Sequence, residues 1–181
     1  MSGFRHRGLL RALVKGDEAG RWEAAGKLSH VDDPKVVRKL QRLLQGNGSA
    51  EARGAAAYVL GFSGQEDVAP SLAGVLADRE EDAAVRAYSA EALGHLLQHE
   101  TVLAEVRTAI RGGLRDPAPE VRFWSTFAAG VLGLQETRPY LVQLADTDGE
   151  EIDGWWSVAE EAEWALRVLN GEEDPPLPQR G

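Results

Sequence analysis

The stretch that decides the fold reads Asp116-Pro117-Ala118-Pro119-Glu120-Val121-Arg122-Phe123-Trp124-Ser125-Thr126-Phe127-Ala128-Ala129-Gly130. Its two prolines end any preceding helix and pre-set the first turn of the next. From Val121 onward, apolar and small residues fall at helical spacing, and Gly130 stands where a helix can stop with φ > 0. The pattern recurs upstream. Arg21-Trp22-Glu23-Ala24-Ala25-Gly26-Lys27-Leu28-Ser29 aligns with Arg122–Gly130 without gaps. So do Arg53-Gly54-Ala55-Ala56-Ala57-Tyr58-Val59-Leu60-Gly61 and Arg86-Ala87-Tyr88-Ser89-Ala90-Glu91-Ala92-Leu93-Gly94. A weaker fifth copy starts at Ala159, and the starts lie 32, 33, 36 and 37 residues apart. A drifting period in the thirties marks stacked supersecondary units with loops of variable length.

Small residues in the middle of each copy (Ala24 and Ala25, Ala56 and Ala57, Ser89 and Ala90, Ser125 and Thr126) let a neighbouring helix come close. Between copies lie second amphipathic stretches, Pro34 to Gln45, Asp67 to Ala77, Thr101 to Leu114 and Thr137 to Ala145, apolar at spacings of three and four. A polar turn such as Gly46-Asn47-Gly48-Ser49 follows each. No segment alternates at period two, so the chain is predicted to be all-α. Units near 17–48, 49–81, 82–117 and 118–153, with a cap at 154–170, make one domain over 1–170. The charged, Pro-rich segment 171–181 is expected to be disordered. It contains a PxxPxR string from Pro175 to Arg180, read as a chance match to an SH3 ligand.

Composition agrees with this reading. Ala (26) and Leu (22) far outnumber Val plus Ile (17), which favours helix over strand. The absence of Cys excludes disulfides, thiolate metal sites and a Cys nucleophile. No apolar run is long enough to span a bilayer, and the first residues lack a signal-peptide core, so a cytoplasmic location is expected. The formal charge is −9, split as +5 over residues 1–45 and −14 over 46–181. An acidic chain repels phosphate, so nucleic acid is not an expected partner.

Asp116 to Arg122, followed by small residues and a Gly, resembles a HEAT repeat. So does Asp82-Ala83-Ala84-Val85-Arg86 with its Ala92-Leu93-Gly94 ending. The similarity is to the short HEAT-like repeats of the phycobilin lyase type, over about residues 17–170. This resemblance implies a right-handed α-solenoid of about five helical hairpins, with the first helices outside and the second helices inside. It also implies that the recurrent arginines Arg53, Arg86 and Arg122 are structural. Arg86 would pair with Asp82 or Asp78, and Arg122 with Asp116.

No catalytic set stands out: there is no Gly-x-Ser-x-Gly, P-loop or GxGxxG string. His95 and His99 share a helix face with Glu91 one turn earlier, and Glu100 is adjacent, but the set reads as a solvated helix end. The carboxylates from Asp146 to Asp153 depart from the calcium-loop pattern and read as a turn. No metal and no cofactor is expected. Trp155 and Trp156, with Trp164 nearby, either seal the last repeat or leave one ring as a binding anchor. On the presumed inner face stand Lys35, Arg38, Lys39 and Arg42, then Arg107, Arg111 and Arg115, then Arg138. The function expected from these features is a non-enzymatic interaction module: a scaffold, assembly factor or immunity-type protein. Its candidate contacts for an acidic protein partner are Lys35, Lys39, Arg42, Arg107, Arg111, Arg138, Trp155 and Trp156. A monomer is expected. The alternatives are a HEAT-like DNA glycosylase or a bilin lyase-type enzyme subunit.

Overall fold

The computed structural model describes residues 2–98, 102–173 and 175–179. Ten α-helices run through them. They are α1 (Ser2–Lys15), α2 (Glu18–Leu28), α3 (Pro34–Leu44), α4 (Ala50–Gly61), α5 (Ala69–Ala77), α6 (Ala83–Leu96), α7 (Ala104–Gly113), α8 (Pro119–Val131), α9 (Arg138–Thr147) and α10 (Val158–Leu169). Short 3-10 turns at Glu66–Val68 and Gln135–Thr137 lead into α5 and α9. Among the described residues there is no strand, and the β-type pairing is an isolated bridge between Glu151 and Ser157.

The polar turns start the helices. Asp17, Asp33, Ser49 and Asp82 accept hydrogen bonds from the backbone N–H of Gly20, Lys35, Ala52 and Ala84, at 2.9, 2.9, 3.3 and 2.9 Å. Each satisfies a donor that the first helical turn leaves unpaired. Ser157 and Glu160 form a reciprocal capping box at α10. Pro34, Pro70, Pro119 and Pro139 occupy first-turn positions, where a missing N–H costs nothing.

Contacts pair α1 with α2, α3 with α4, α5 with α6, α7 with α8 and α9 with α10, so five hairpins stack into an α-solenoid. The helix over Ser2–Lys15 contains no copy of the repeat, yet it carries the fully buried Leu13. Its presence phases the hairpins one helix earlier: the arginine-bearing helix is the second of each pair. The even-numbered helices form one continuous layer, α2 on α4 on α6 on α8 on α10.

The recurrent glycines explain how closely that layer is built. A Cβ at Gly61 would lie 2.8 Å from the Cα of Ala92, and one at Gly130 would lie 3.1 Å from the Cα of Ala165. Both residues stand within their helices. The positive-φ turns come three residues later, at Gly64 (φ 64) and Gly133 (φ 63). The glycine is therefore kept for helix-to-helix approach, whereas the sequence pattern suggested a helix stop. In the odd layer α5 and α7 pack directly, but α3 against α5 and α7 against α9 stand apart and are bridged by long side chains. Gln41 Nε2 on α3 donates to Ser71 Oγ on α5 at 2.7 Å, and the Arg115 guanidinium lies over the Tyr140 ring of α9. Backbones that touch on one side and stand apart on the other make a bend, with the closer layer inside. The arginine helices, second in each hairpin, therefore line the inner face, and the cations of α3 and α7 expected there lie on the other layer.

The arginine pairing also differs from expectation. Arg86 donates to both oxygens of Asp116 at 3.1 and 2.9 Å, and Arg122 to both oxygens of Asp148 at 2.6 and 3.1 Å. Arg53 grips Glu81 in the same bidentate way at 2.5 and 2.7 Å. Each arginine reaches forward to the acid of the next turn in the stack, while Asp82 is taken up as the α6 cap. Arg86 and Arg122 also reach back, to the carbonyls of Glu81 and of Asp116 and Pro117. One side chain thus ties two successive turns together, and Asp116, whose side chain is wholly buried, additionally receives Arg79.

Candidate functional site

The inner face of the even helices is set by three offsets in the repeat. Two residues after the arginine stand Tyr88 and Trp124; five after, Tyr58, Glu91 and Phe127; nine after, Phe62 and His95. These offsets fall on one side of a helix, away from the Ala and Leu positions that fill the core. Rings from successive helices therefore meet. Trp22 of α2 lies 5.6 Å from Tyr58 of α4 and 5.2 Å from Tyr88 of α6, measured between ring centroids. The second contact passes over α4 at Gly54, where a Cβ would stand 2.8 Å from the Tyr88 ring. The track continues from Tyr58 through Phe62, His95 and Phe127 to Trp124 and Trp155.

Beside this track opens a cavity of about 430 Å³, lined by Trp22, Tyr58, Tyr88, Glu91, Glu120, Trp124, Asp153 and Trp155 with Ala84, Ala87 and Ile152. A neighbouring hollow of about 700 Å³ shares Trp22, Ala84 and Tyr88 and adds Asp17, Glu18, Glu51 and Asp82. Arg21 is the basic residue lining either of them, and its guanidinium donates to the carbonyls of Leu13 and Gly16. The groove is thus aromatic and acidic.

Glu91 is the buried ionisable group of the cavity, 8% exposed, whereas Glu120 and Asp153 are exposed at the rim. Burial pushes the Glu91 carboxyl up to about 7, because a charge there is poorly solvated. His95 Nε2 stands 3.8 Å away, and burial lowers its pKa, so the imidazole is neutral at neutral pH and brings no charge to the pair. A second carboxyl raised to about 7 by burial, Glu161, is structural: it accepts a 2.7 Å bond from the Trp156 indole.

The residues singled out from sequence are divided by the fold. Lys35, Lys39 and Arg42 on α3 and Arg111 on α7 are exposed on the odd layer, away from the groove. Arg107 is paired with Glu136 at 3.1 Å, and Arg138 donates to Gln135 at 3.2 Å. Trp155 lines the cavity, while Trp156 is 5% exposed and sits in the core against Phe123. In the Pro-rich segment, Glu172 pairs with Arg167, and the buried Pro175 accepts a bond from the Trp164 indole at 3.2 Å. His99 and Glu100 lie outside the described residues. Among the described residues, no group of three or more His, Cys, Asp or Glu is placed to hold a metal, and no helix is long and apolar enough to cross a membrane.

Comparison with known proteins places the fold. A family model described as HEAT repeats matches residues 7–82 and 76–167. No curated protein sequence matches the chain. Among solved structures, the complex of CpcE and CpcF of phycocyanin lyase from Nostoc sp. PCC7120 superposes with a TM-score of 0.68 at 20% identity, over 92% of this chain and 65% of that one. Human deoxyhypusine hydroxylase gives 0.54 at 28% identity, over 72% of this chain and 44% of that one. A computationally designed armadillo repeat protein for modular peptide recognition gives 0.53 at 16% identity, over 90% and 81%. The chain thus spans less than two thirds of the lyase chain and under half of the hydroxylase. On the family match, which runs through nearly all the helices described, the chain belongs to the HEAT-repeat family.

Proposed function

We propose that the chain is a non-enzymatic interaction module that holds an extended segment of a protein partner in the groove across α2, α4, α6 and α8. The observation that carries this reading is the uninterrupted ring track beside an open cavity of about 430 Å³. Trp and Tyr bury much area for little lost rotamer freedom, and such rings dominate binding energy when they line a pocket. Rigid helices on both sides supply a preformed surface, which keeps the entropy cost of binding low. The exposed cations of α3 and α7 are the competing contact, suited to an acidic partner on the opposite layer.

Selection of linear peptides against the folded chain, followed by fluorescence anisotropy, separates the two. Trp124→Ala is expected to weaken the selected peptides at least tenfold, the loss of one anchor. The pair Arg42→Glu and Arg111→Glu is expected to leave them unchanged. The opposite pattern would move the site to the odd layer. A second reading rests on Glu91: a carboxyl near 7 in an aromatic cavity is also what general acid catalysis needs. Turnover of a small substrate that Glu91→Gln abolishes, with peptide binding absent, would promote a lyase-type enzyme subunit.

A further inference from the structure

We infer that the segment held in this groove is basic, and that one of its arginine or lysine side chains enters the cavity between Trp22, Tyr88, Trp124 and Trp155, over Glu91. This rests on the groove reading above and names the chemistry of its occupant. Three observations converge. Indole and phenol faces from α2, α6, α8 and the loop before α10 surround one cavity, the arrangement that attracts a cation to ring quadrupoles. Glu91, 8% exposed, lines that cavity, yet it accepts no hydrogen bond from any described residue, and the His95 imidazole 3.8 Å away has its pKa lowered by burial, which disfavours its charged form. The rim and the adjoining hollow add Glu120, Asp153, Glu18 and Glu51, while Arg21 is bonded to two carbonyls.

An apolar side chain in the cavity would leave Glu91 buried and unpaired, and an acidic one would face five carboxylates. A guanidinium or ammonium satisfies the carboxylate and the rings together. Successive even helices stand about 10 Å apart, so an extended segment crossing from α2 to α8 needs about 9 residues, and about 12 with a little overhang at each end.

Proton linkage follows. The cation binds the carboxylate form of Glu91, so affinity rises with pH through about 7 and levels above it. The other titratable groups facing Glu91 are Tyr58 of α4, Tyr88 and His95 of α6, Glu120 of α8 and Asp153 of the following loop. Protonated His95 would also repel the cation, so it needs its own control.

The test uses the full chain and a fluorescein-labelled peptide of about 12 residues alternating Arg and Gly. Two others are run beside it: one with citrulline replacing Arg, which keeps shape and removes charge, and one alternating Glu and Gly. Anisotropy is read from pH 6 to 8.5 at constant ionic strength, with circular dichroism as the folding control. The Arg peptide is expected to bind about tenfold more tightly at pH 8.5 than at pH 6. The citrulline peptide should bind at least tenfold more weakly, and the Glu peptide should not bind. Glu91→Gln flattens the pH profile; His95→Gln retains it. The pH profile of the unaltered chain needs no variant, so a poorly folded Glu91→Gln does not blunt the test. Equal binding of the citrulline peptide, a flat profile, or no Arg-peptide binding overturns the inference. If uncharged or acidic selected peptides bind and lose affinity with Trp124→Ala, the groove reading stands and only its cationic occupant falls. If no peptide class depends on Trp124, both fall.

Discussion

Asp116→Ala should be the most damaging single change outside the apolar core. Its side chain is 0% exposed and accepts two bonds from Arg86, another from Arg79, and one from the Ala118 backbone N–H at 3.0 Å. Removing it leaves Arg86, 6% exposed at its side chain, with a buried charge whose remaining partner is the Glu81 carbonyl. Breaking a buried pair by deleting one member costs about 3–5 kcal/mol, because the abandoned charge stays desolvated. Whole domains are stable by only about 5–15 kcal/mol. For a chain of this size the loss lowers the melting temperature by roughly 6–20 °C. Asp148→Ala is the internal comparison: its pair with Arg122 has side-chain exposures of 16% and 9%, so water screens it and the cost falls to about 1–3 kcal/mol. Urea unfolding followed by Trp fluorescence measures both, with unchanged slopes confirming that one transition is compared. The reasoning fails if Asp116→Ala lies within about 0.5 kcal/mol of the unaltered chain, or if Asp148→Ala costs more.

The remaining predictions probe other contacts. Glu91 is protonated more readily folded than unfolded, so its contribution to stability is full below about pH 4.5 and is lost as pH rises through about 7. Glu91→Gln should therefore stabilise the chain by about 1–3 kcal/mol at pH 8 and change little at pH 5, by urea titration at both. Gly61→Val should destabilise by about 1–3 kcal/mol or more, since the new side chain meets the α6 backbone; a neutral result would show that α4 and α6 separate freely. Gly26→Ala, with open space around its Cβ, should instead stabilise α2 by about 0.5–1 kcal/mol, read from the same titration.

The repeats made α2 to α10 and the polar turns between them legible, because those follow from local spacing and turn chemistry, and no strand stands among the described residues. Arg86 and Asp116 show what spacing cannot give. Asp82 is nearest to Arg86 in sequence, but stacking carries the guanidinium toward the following turn, thirty residues on. The hairpin phase is hidden in the sequence for a related reason. Each aligned copy begins at its arginine, so the unit was opened there, and α1 carries no copy of the motif to reveal the helix before it. The face of the bend then followed the wrong phase. The groove was hidden by the alignment itself. Aligned copies draw attention to positions that agree, the Arg, Ala, Leu and Gly that build the stack. Tyr88, Glu91, Trp124 and Phe127 stand at positions where copies differ. Variation at offsets two, five and nine, on one helical face and rich in rings, was the available signal. The sequence marks Trp155 and Trp156 only as an adjacent pair; the fold distinguishes them, since Trp155 lines the cavity and the Trp156 indole is bonded to Glu161.

The central claim is that partners bind the ring-lined inner face of the even helices. Its most direct measurement is the indole N–H region of the proton–nitrogen spectrum, where five tryptophans report from separate places. On adding a peptide selected for binding, the Trp22, Trp124 and Trp155 signals are expected to shift, because those rings line the cavity. Trp156 and Trp164, bonded to Glu161 and to the Pro175 carbonyl, are expected to hold still. Unmoved signals from Trp22, Trp124 and Trp155, together with shifted backbone amides in α3 and α7, would contradict the account and place the partner on the opposite layer.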